Sequence, residues 1–487
     1  MPENTLNIVD DEIIEEFKKL PLDYWDFKNE DTKELTHGIH TYPAVMVYPI
    51  SRNILKIMMK YQKLHVLMDP FMGSGTCLVE GILAGMDTVY GTDLNPLARL
   101  ISKVKTKHLH YADVRNSVNL LKEKINEEYI NYSLLIGNIY QFIKEKNIDI
   151  AEKQTVKEGW GANAPEILKE YINRYNMGLN IPEFNNIGFW FVPNAIIELQ
   201  IIKNCILEIR DENIRDFIWV AFSEVTRVVS NRRNGEFKMY RMEPAKVRGF
   251  KPDVKKEFFE TLEGNVERMH KFYDICDAKT KETKVHILNN DTRMLQDVPN
   301  NCVDIVVTSP PYGDSRTTVA YGEFSRVSLQ WADLDELTDK QIMDIDKSLV
   351  GGTKFRNGFE YHLHSNSLKE SLDKILKDEK NKERAGDVFS FYKDLQDCIR
   401  SITNKCKINS YQFWVVGNRT VKSEKLITSE IIIEMGQSYG LEHVCTIGRN
   451  ISNKVMPSLN SPTNEAGKKA ATMTNEHIVV LRKTREI

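Results

Sequence analysis

Two short runs carry residue types that could do chemistry: Asp69-Pro-Phe-Met-Gly-Ser-Gly-Thr76 and Thr308-Ser-Pro-Pro-Tyr312. In the first, Gly73 and Gly75 permit a tight turn and a close approach of backbone to a ligand. Free N–H groups at the start of a following helix attract polar or negative atoms. The run is not GxGxxG and lacks the lysine of a phosphate-binding loop, which disfavours a dinucleotide or ATP. Asp93 stands 20 residues after Gly73 at the end of the next apolar stretch. A carboxylate there suits a ribose diol, because it can accept both hydroxyl hydrogens. The plainer reading is a strand-to-helix connection with a satisfied aspartate.

The second run ends an apolar stretch with two prolines, which remove two backbone donors and set φ twice. Such a loop is stiff and suits a site at a strand end. Suppose the reacting group is an exocyclic NH2 on a nucleobase. Its lone pair is delocalised into the ring, so it is a weak nucleophile. Hydrogen-bond acceptors on both N–H groups return electron density to the nitrogen. The Ser309 hydroxyl and the Pro310 carbonyl can be those acceptors, with Pro311 stiffening the turn. Tyr312 offers a flat face to an extruded base, worth ~1–3 kcal/mol. An amino nitrogen can attack a methyl sulfonium directly, with neither cysteine nor metal. A structural Pro-Pro loop capped by an aromatic remains the alternative.

These runs need strands to hold them. LHVLMD at 64–69 reads as a buried strand, CLVEGILAG as a helix and DTVYGTD at 87–93 as a second strand. This is half of a Rossmann-like unit. Helical, charged sequence follows from 96 to 135, and helix-period segments such as IIELQIIKNCILEIR continue to about 280. Strand signals return at 284–289, 302–308, 411–418, 443–450 and 476–483, with helical sequence at about 325–405 and a helix-like SEIIIEMGQSYG. The expected fold is an α/β sheet built from both ends of the chain and interrupted by a mostly helical insertion. The segments are 1–112, 113–280 and 281–487.

With 487 residues, 41% hydrophobic and 28% charged, the chain has ordinary globular composition. A net charge of −3 neither favours nor excludes a nucleic-acid partner, since a local basic face can coexist with an acidic remainder. No apolar run reaches the ~18 residues of a membrane span. The acidic N-terminus lacks a signal-peptide core. Seven cysteines are scattered without CxxC or His/Cys ligand spacing, which fits reduced thiols, no metal and a cytoplasmic location. His37 and His40 lack ligand partners at metal spacing.

Taken together, DPFMGSGT and TSPPY resemble the cofactor and catalytic motifs of the DNA amino-methyltransferases, which use S-adenosylmethionine. HTYPAVMVYPI at 40–50, with Tyr42 and Pro43, is similar to the segment that closes over the methionine end of the cofactor. GTDLNP at 91–96 resembles the acidic ribose motif. NND at 289–291 resembles the family's Gly-Asp before the catalytic strand, with Asn290 replacing the glycine and Asp291 facing the adenine end. VVGNRTV at 415–421 resembles a later core strand and turn. The resemblance covers about 40–112 and 281–487, cofactor half first. It implies cofactor contacts from Tyr42, Pro43, Asp69, Phe71, Gly73, Gly75, Thr76, Asp93 and Asp291. It implies catalysis by Ser309, Pro310, Pro311 and Tyr312. Ser-Pro-Pro is more typical of cytosine N4 methylation, Asp- or Asn-Pro-Pro of adenine N6. C5-cytosine methylation would need a Pro-Cys loop, and no cysteine here follows a proline.

Double-stranded DNA is then the expected partner. Residues 227–251 hold eight Lys/Arg against two Glu, with Phe237 and Tyr240 interleaved, a mixture that suits phosphate contacts. Arg232, Arg233, Lys238 and Arg241 are the candidates there. Arg316 and Arg326 are candidates through adjacency to the SPPY loop. The polar stretch 449–473 reads as a loop that orders on DNA, whereas the acidic 333–346 does not suit phosphate. The readings that follow are an N4-cytosine DNA methyltransferase paired with a restriction endonuclease, an N6-adenine enzyme, an RNA methyltransferase, or a non-catalytic specificity protein.

Overall fold

The computed structural model describes residues 3–28, 30–152, 159–233, 237–314, 318–355, 358–451, 459–460, 470–471 and 475–487. Seven strands form one sheet: β1 (Val66–Asp69), β2 (Thr88–Thr92), β3 (Lys284–Leu288), β4 (Val303–Thr308), β5 (Cys406–Gly417), β6 (Leu441–Asn450) and β7 (Asn475–Lys483). Their spatial order is β3-β2-β1-β4-β5-β7-β6. The pairings from β3 to β5 are parallel, and β7 runs antiparallel to both β5 and β6. This is a Rossmann-like methyltransferase sheet with one reversed strand. The chain runs from β1 outward to β2 and β3, then returns to place β4 on the other side of β1. That reversal leaves a crevice beyond the carboxyl ends of β1 and β4, where open α/β sheets bind ligands.

The inner strands are apolar on both faces, as parallel strands covered by helices must be. Side chains alternate between two cores. Leu67, Ile305, Val307, Phe413, Val415, Ile478 and Val480 point into one. Met68, Val306, Trp414, Val416, Val479 and Leu481 point into the other. Each such fully buried side chain contributes ~1.5–3 kcal/mol.

The first core holds the helices Thr76–Leu83 and Pro96–Lys105, and the long helical stretch between β2 and β3. That stretch includes Tyr111–Asn131, Pro193–Leu207, Glu212–Val228 and Val254–Ile275. Its buried residues, such as Val118, Ile201, Phe222 and Phe258, join the sheet residues in one continuous apolar cluster. The second core is covered by Asn366–Leu376, Lys382–Lys405 and Thr428–Ser438. Among the described residues no helix is long and apolar enough to cross a membrane.

Candidate active site

A cleft of about 860 Å³, partly open to solvent, lies at the carboxyl ends of β1 and β4. Its wall includes Tyr42, Pro43, Asp69, Phe71, Gly73, Thr76, Asp93, Asp291, Ser309 and Pro311. The fold therefore gathers residues from both halves of the sequence into one site. Tyr321 and the segment Ser348-Leu349-Val350 also line it, and no motif pointed to them.

The glycine turn is held from several sides. Gly73 and Gly75 have φ of +49° and +77°, a left-handed conformation that favours glycine. A Cβ on Gly75 would lie 2.8 Å from Ser102 Oγ. Gly75 is thus set against the helix Pro96–Lys105, outside the cleft wall, and serves as N-cap of Thr76–Leu83. Ser102 Oγ donates to the Gly73 carbonyl at 3.0 Å. Lys105 Nζ donates to Ser74 Oγ at 3.1 Å, and burial pushes this lysine down to about 7. The Pro70 carbonyl accepts from Thr92 Oγ1 at 3.0 Å and from Thr292 Oγ1 at 2.6 Å. The buried Thr76 Oγ1 has no protein partner among the described residues, which leaves a hydroxyl for a ligand at the helix start.

Two carboxyls in the wall are unusually basic. Burial pushes Asp69 up to about 6, against the opposing hydrogen bonds from Thr308 Oγ1 at 2.7 Å and the Phe71 N–H at 3.1 Å. Burial likewise pushes Asp93 up to about 7, opposed by the Asn95 N–H at 2.8 Å. A ligand donating hydroxyl hydrogens to Asp93 would supply what the apolar wall withholds. The glycine turn, the Thr76 hydroxyl and Asp93 suit S-adenosylmethionine.

Asp291 also lines the cleft, but its carboxylate is gripped by Arg293 through Nε at 2.9 Å to Oδ1 and 3.0 Å to Oδ2. Arg293 also donates to the Ser348 carbonyl at 2.9 Å and pairs with Asp394, tying the cleft segment 348–350 to the turn after β3. Asn290, in the glycine position of the motif, has a structural task of its own. It donates to Asp297 Oδ2 at 2.7 Å and accepts from the Asp297 N–H at 3.1 Å.

The segment before β1 is fastened to the helix that follows the SPPY loop. Tyr42 stacks on Tyr321 with ring centres 6.0 Å apart and meets the edge of Phe324 at 5.6 Å. Asn95 Nδ2 donates to Tyr42 Oη at 3.2 Å and to Ser325 Oγ at 2.7 Å. His37 hydrogen-bonds Glu80 at 2.8 Å, and the buried His40 lies 3.4 Å from Glu224. Neither belongs to a metal-binding group among the described residues.

At the end of β4, the Ser309 hydroxyl donates to the Val415 carbonyl at 3.1 Å, with Tyr312 Oη a second acceptor at 3.4 Å. Both acceptors for its hydrogen are therefore internal, and its lone pairs remain to accept. Pro311 lines the cleft; Pro310 is buried outside its wall. Tyr312 is half-buried, and its hydroxyl is anchored by donation to Glu476 Oε1 at 2.8 Å. Burial, and then the Glu476 charge, push that phenol well above the ordinary tyrosine range. Glu476 also pairs with Arg449, which donates to the Trp25 carbonyl at 2.8 Å. The sequence carries no signal for Glu476, and Arg449, at the start of the polar stretch read as a DNA loop, lies instead in β6. Asp314, next after Gly313, is held by Arg384 at 2.9 Å and Arg419 at 3.2 Å.

The basic stretch folds back on itself. Met242 N–H donates to the Asn231 carbonyl and Arg233 N–H to the Tyr240 carbonyl, both at 2.7 Å. This turn docks on the helix Tyr321–Ala332, where the Met239 N–H meets Glu323 at 2.6 Å and Phe237 packs 6.2 Å from Phe324. Arg241 does not point outward as its neighbours suggested. Its guanidinium donates to the carbonyls of Phe189, Ala151, Glu152 and Ile150, and lies over the Phe189 ring. Arg232 is half-buried and donates to the Arg227 and Arg233 carbonyls. Arg233 is exposed beside Glu243, and Lys238 is half-exposed. Arg326 is half-buried, and its buried Nε has no partner among the described residues. Arg316 and most of 449–473 lie outside the described residues.

No protein-family model matches the chain. It is 38% identical, over a 488-residue alignment covering 98% of each chain, to the type II methyltransferase M.MvaI of Kocuria varians. It is 26% identical over 229 residues to the type II methyltransferase M.MjaII of Methanocaldococcus jannaschii, covering 42% of this chain and 41% of that relative. A crevice at the reversal point of a Rossmann-like sheet and full-length kinship to M.MvaI agree: the chain belongs to the type II methyltransferases.

Proposed function

We propose that this DNA methyltransferase transfers a methyl group from S-adenosylmethionine to the N4 amine of a cytosine turned out of duplex DNA. Its natural setting would be beside a restriction endonuclease of the same specificity. The observation that carries the reading is Ser309. It is a neutral hydroxyl in the cleft wall whose own hydrogen is directed at Val415 or Tyr312, which leaves lone pairs for an amine N–H. In the amino-methyltransferases that the motifs resemble, serine in this position is more typical of cytosine N4 than of adenine N6. Bound S-adenosylmethionine supplies an electrophilic methyl on a sulfonium. Gly73, Thr76 and Asp93 are the residues assigned to hold it, with Tyr42 and Pro43 covering one end. The chain's own contribution is orientation. Effective molarities for well-aligned groups reach ~10⁵–10⁸ M, so placement of the amine accounts for much of the barrier.

Arg233 and Lys238 are assigned to DNA phosphates, with Arg326 near the target strand. Arg232 and Arg241 are assigned instead to holding the basic turn in shape, because their donors are turned onto backbone carbonyls. Incubation with labelled S-adenosylmethionine and plasmid DNA, followed by nucleoside mass spectrometry, tests the reading. N4-methylcytosine is the expected product. N6-methyladenine would replace the target base, and label in RNA alone would overturn the substrate.

A further inference from the structure

A nitrogen that gains a methyl group carries one proton too many, and a chain of polar groups leads away from Ser309. The serine hydroxyl lies 3.4 Å from Tyr312 Oη, which donates to Glu476 Oε1 at 2.8 Å. The donor directions run the same way in both links once the serine's single hydrogen turns from the Val415 carbonyl at 3.1 Å to Tyr312. Glu476 is 9% exposed at the start of β7, directly opposite Arg449 of β6, and the two side chains form an ion pair. Arg449 is itself fixed by the Trp25 carbonyl at 2.8 Å. Other acids around the loop are committed elsewhere: Asp314 to Arg384 and Arg419, Asp291 to Arg293, and Asp69 to Thr308.

We propose that Ser309, Tyr312 and Glu476 form a proton path, with Glu476 the terminal acceptor of the surplus amine proton. The inference rests on the amino-transfer reading. The amine lone pair forms the new N–C bond as the C–S bond of the sulfonium breaks, and the bond pair stays on sulfur. The amine proton passes to Ser309 Oγ, the serine's own hydrogen to Tyr312 Oη, and the tyrosine's own hydrogen to Glu476 Oε1. Serine and tyrosine end as they began, and one proton rests on the carboxylate until it escapes past Asn475, exposed at the start of β7. The 3.4 Å link is long, as catalytic hydrogen bonds often are before substrate closes the site. Arg449 holds the Glu476 carboxylate in place beside Tyr312, so the acceptor is positioned before the methyl moves.

The test is single-turnover methylation of duplex DNA by the full chain, comparing wild type, Tyr312→Phe, Glu476→Gln and the double variant. Loss of a positioned proton acceptor slows the step by about a hundredfold. Each single variant should show that loss in rate, with KM for DNA and Kd for S-adenosylmethionine within about twofold of wild type. The double variant should be no slower than either single one, because one path is broken only once. A Tyr312→Phe rate equal to wild type, or losses that multiply, would overturn the path. Should Glu476→Gln fail to fold beside an unpaired Arg449, Tyr312→Phe decides alone, since it leaves that ion pair intact. A wild type that labels no DNA amino group overturns the amino-transfer reading and the path together. A normal wild type with an unaffected Phe variant overturns the path alone.

Discussion

Replacing Ser309 by alanine removes a lone-pair acceptor from the cleft wall and one bond to the Val415 carbonyl. Methyl transfer should fall by at least about a hundredfold while S-adenosylmethionine still binds, as calorimetry can show. Asp93 gives a pH signature. Its carboxyl stands at about 7 in the cleft without ligand. A diol binds the charged form, so ligand binding lowers that pKa and releases a proton. Affinity for S-adenosylmethionine should therefore weaken as pH falls below about 7, by up to about tenfold per unit. Asp93→Asn should bind weakly with that dependence removed, and titrations in buffers of different ionisation enthalpy would report the proton. At this scale the sequence was informative where a residue type is tied to a motif: Gly73, Asp93 and Ser309 all reach the cleft. Glu476 was invisible, because its meaning arises only when β7 is laid against β6.

The glycine turn is where an element depends on a single residue. Gly75→Ala would force a left-handed φ of +77° on a side chain whose Cβ meets Ser102. The backbone cost alone is about 1–2 kcal/mol, and the clash adds to it. The expected result is a lower melting temperature together with weaker S-adenosylmethionine binding, because the same turn lines the site. The apolar runs identified β1 to β4 closely. The fifth strand begins at Cys406, several residues earlier than the apolar run YQFWVVG suggested. The residues after Cys406, KINS, are polar apart from Ile408 and carry no strand signal, yet Cys406 still pairs with Val303. The helix Tyr321–Ala332 was read only as part of a helical region. Its position between Tyr42, the basic turn and the cleft is a tertiary fact.

Across the whole molecule, a net charge of −3 leaves DNA affinity to local cations. A run of basic residues in sequence does not say which ones face outward. Arg233→Glu with Lys238→Glu should weaken DNA binding and reduce the magnitude of the salt slope by about 2. Arg241→Ala should instead lower the melting temperature and leave that slope nearly unchanged, because its donors hold the carbonyls of 150–152 and 189. The long helical stretch between β2 and β3 shares one apolar core with the sheet, so its motions and stability belong to the catalytic body. The most direct measurement of the central claim is methylation-aware sequencing of DNA from a host expressing the full chain, beside a host expressing Ser309→Ala. N4-methylcytosine is expected at one recurring sequence in the first host and absent from the second. N6-methyladenine at the recurring sequence, or N4-methylcytosine at undiminished level with the alanine variant, would contradict the claim.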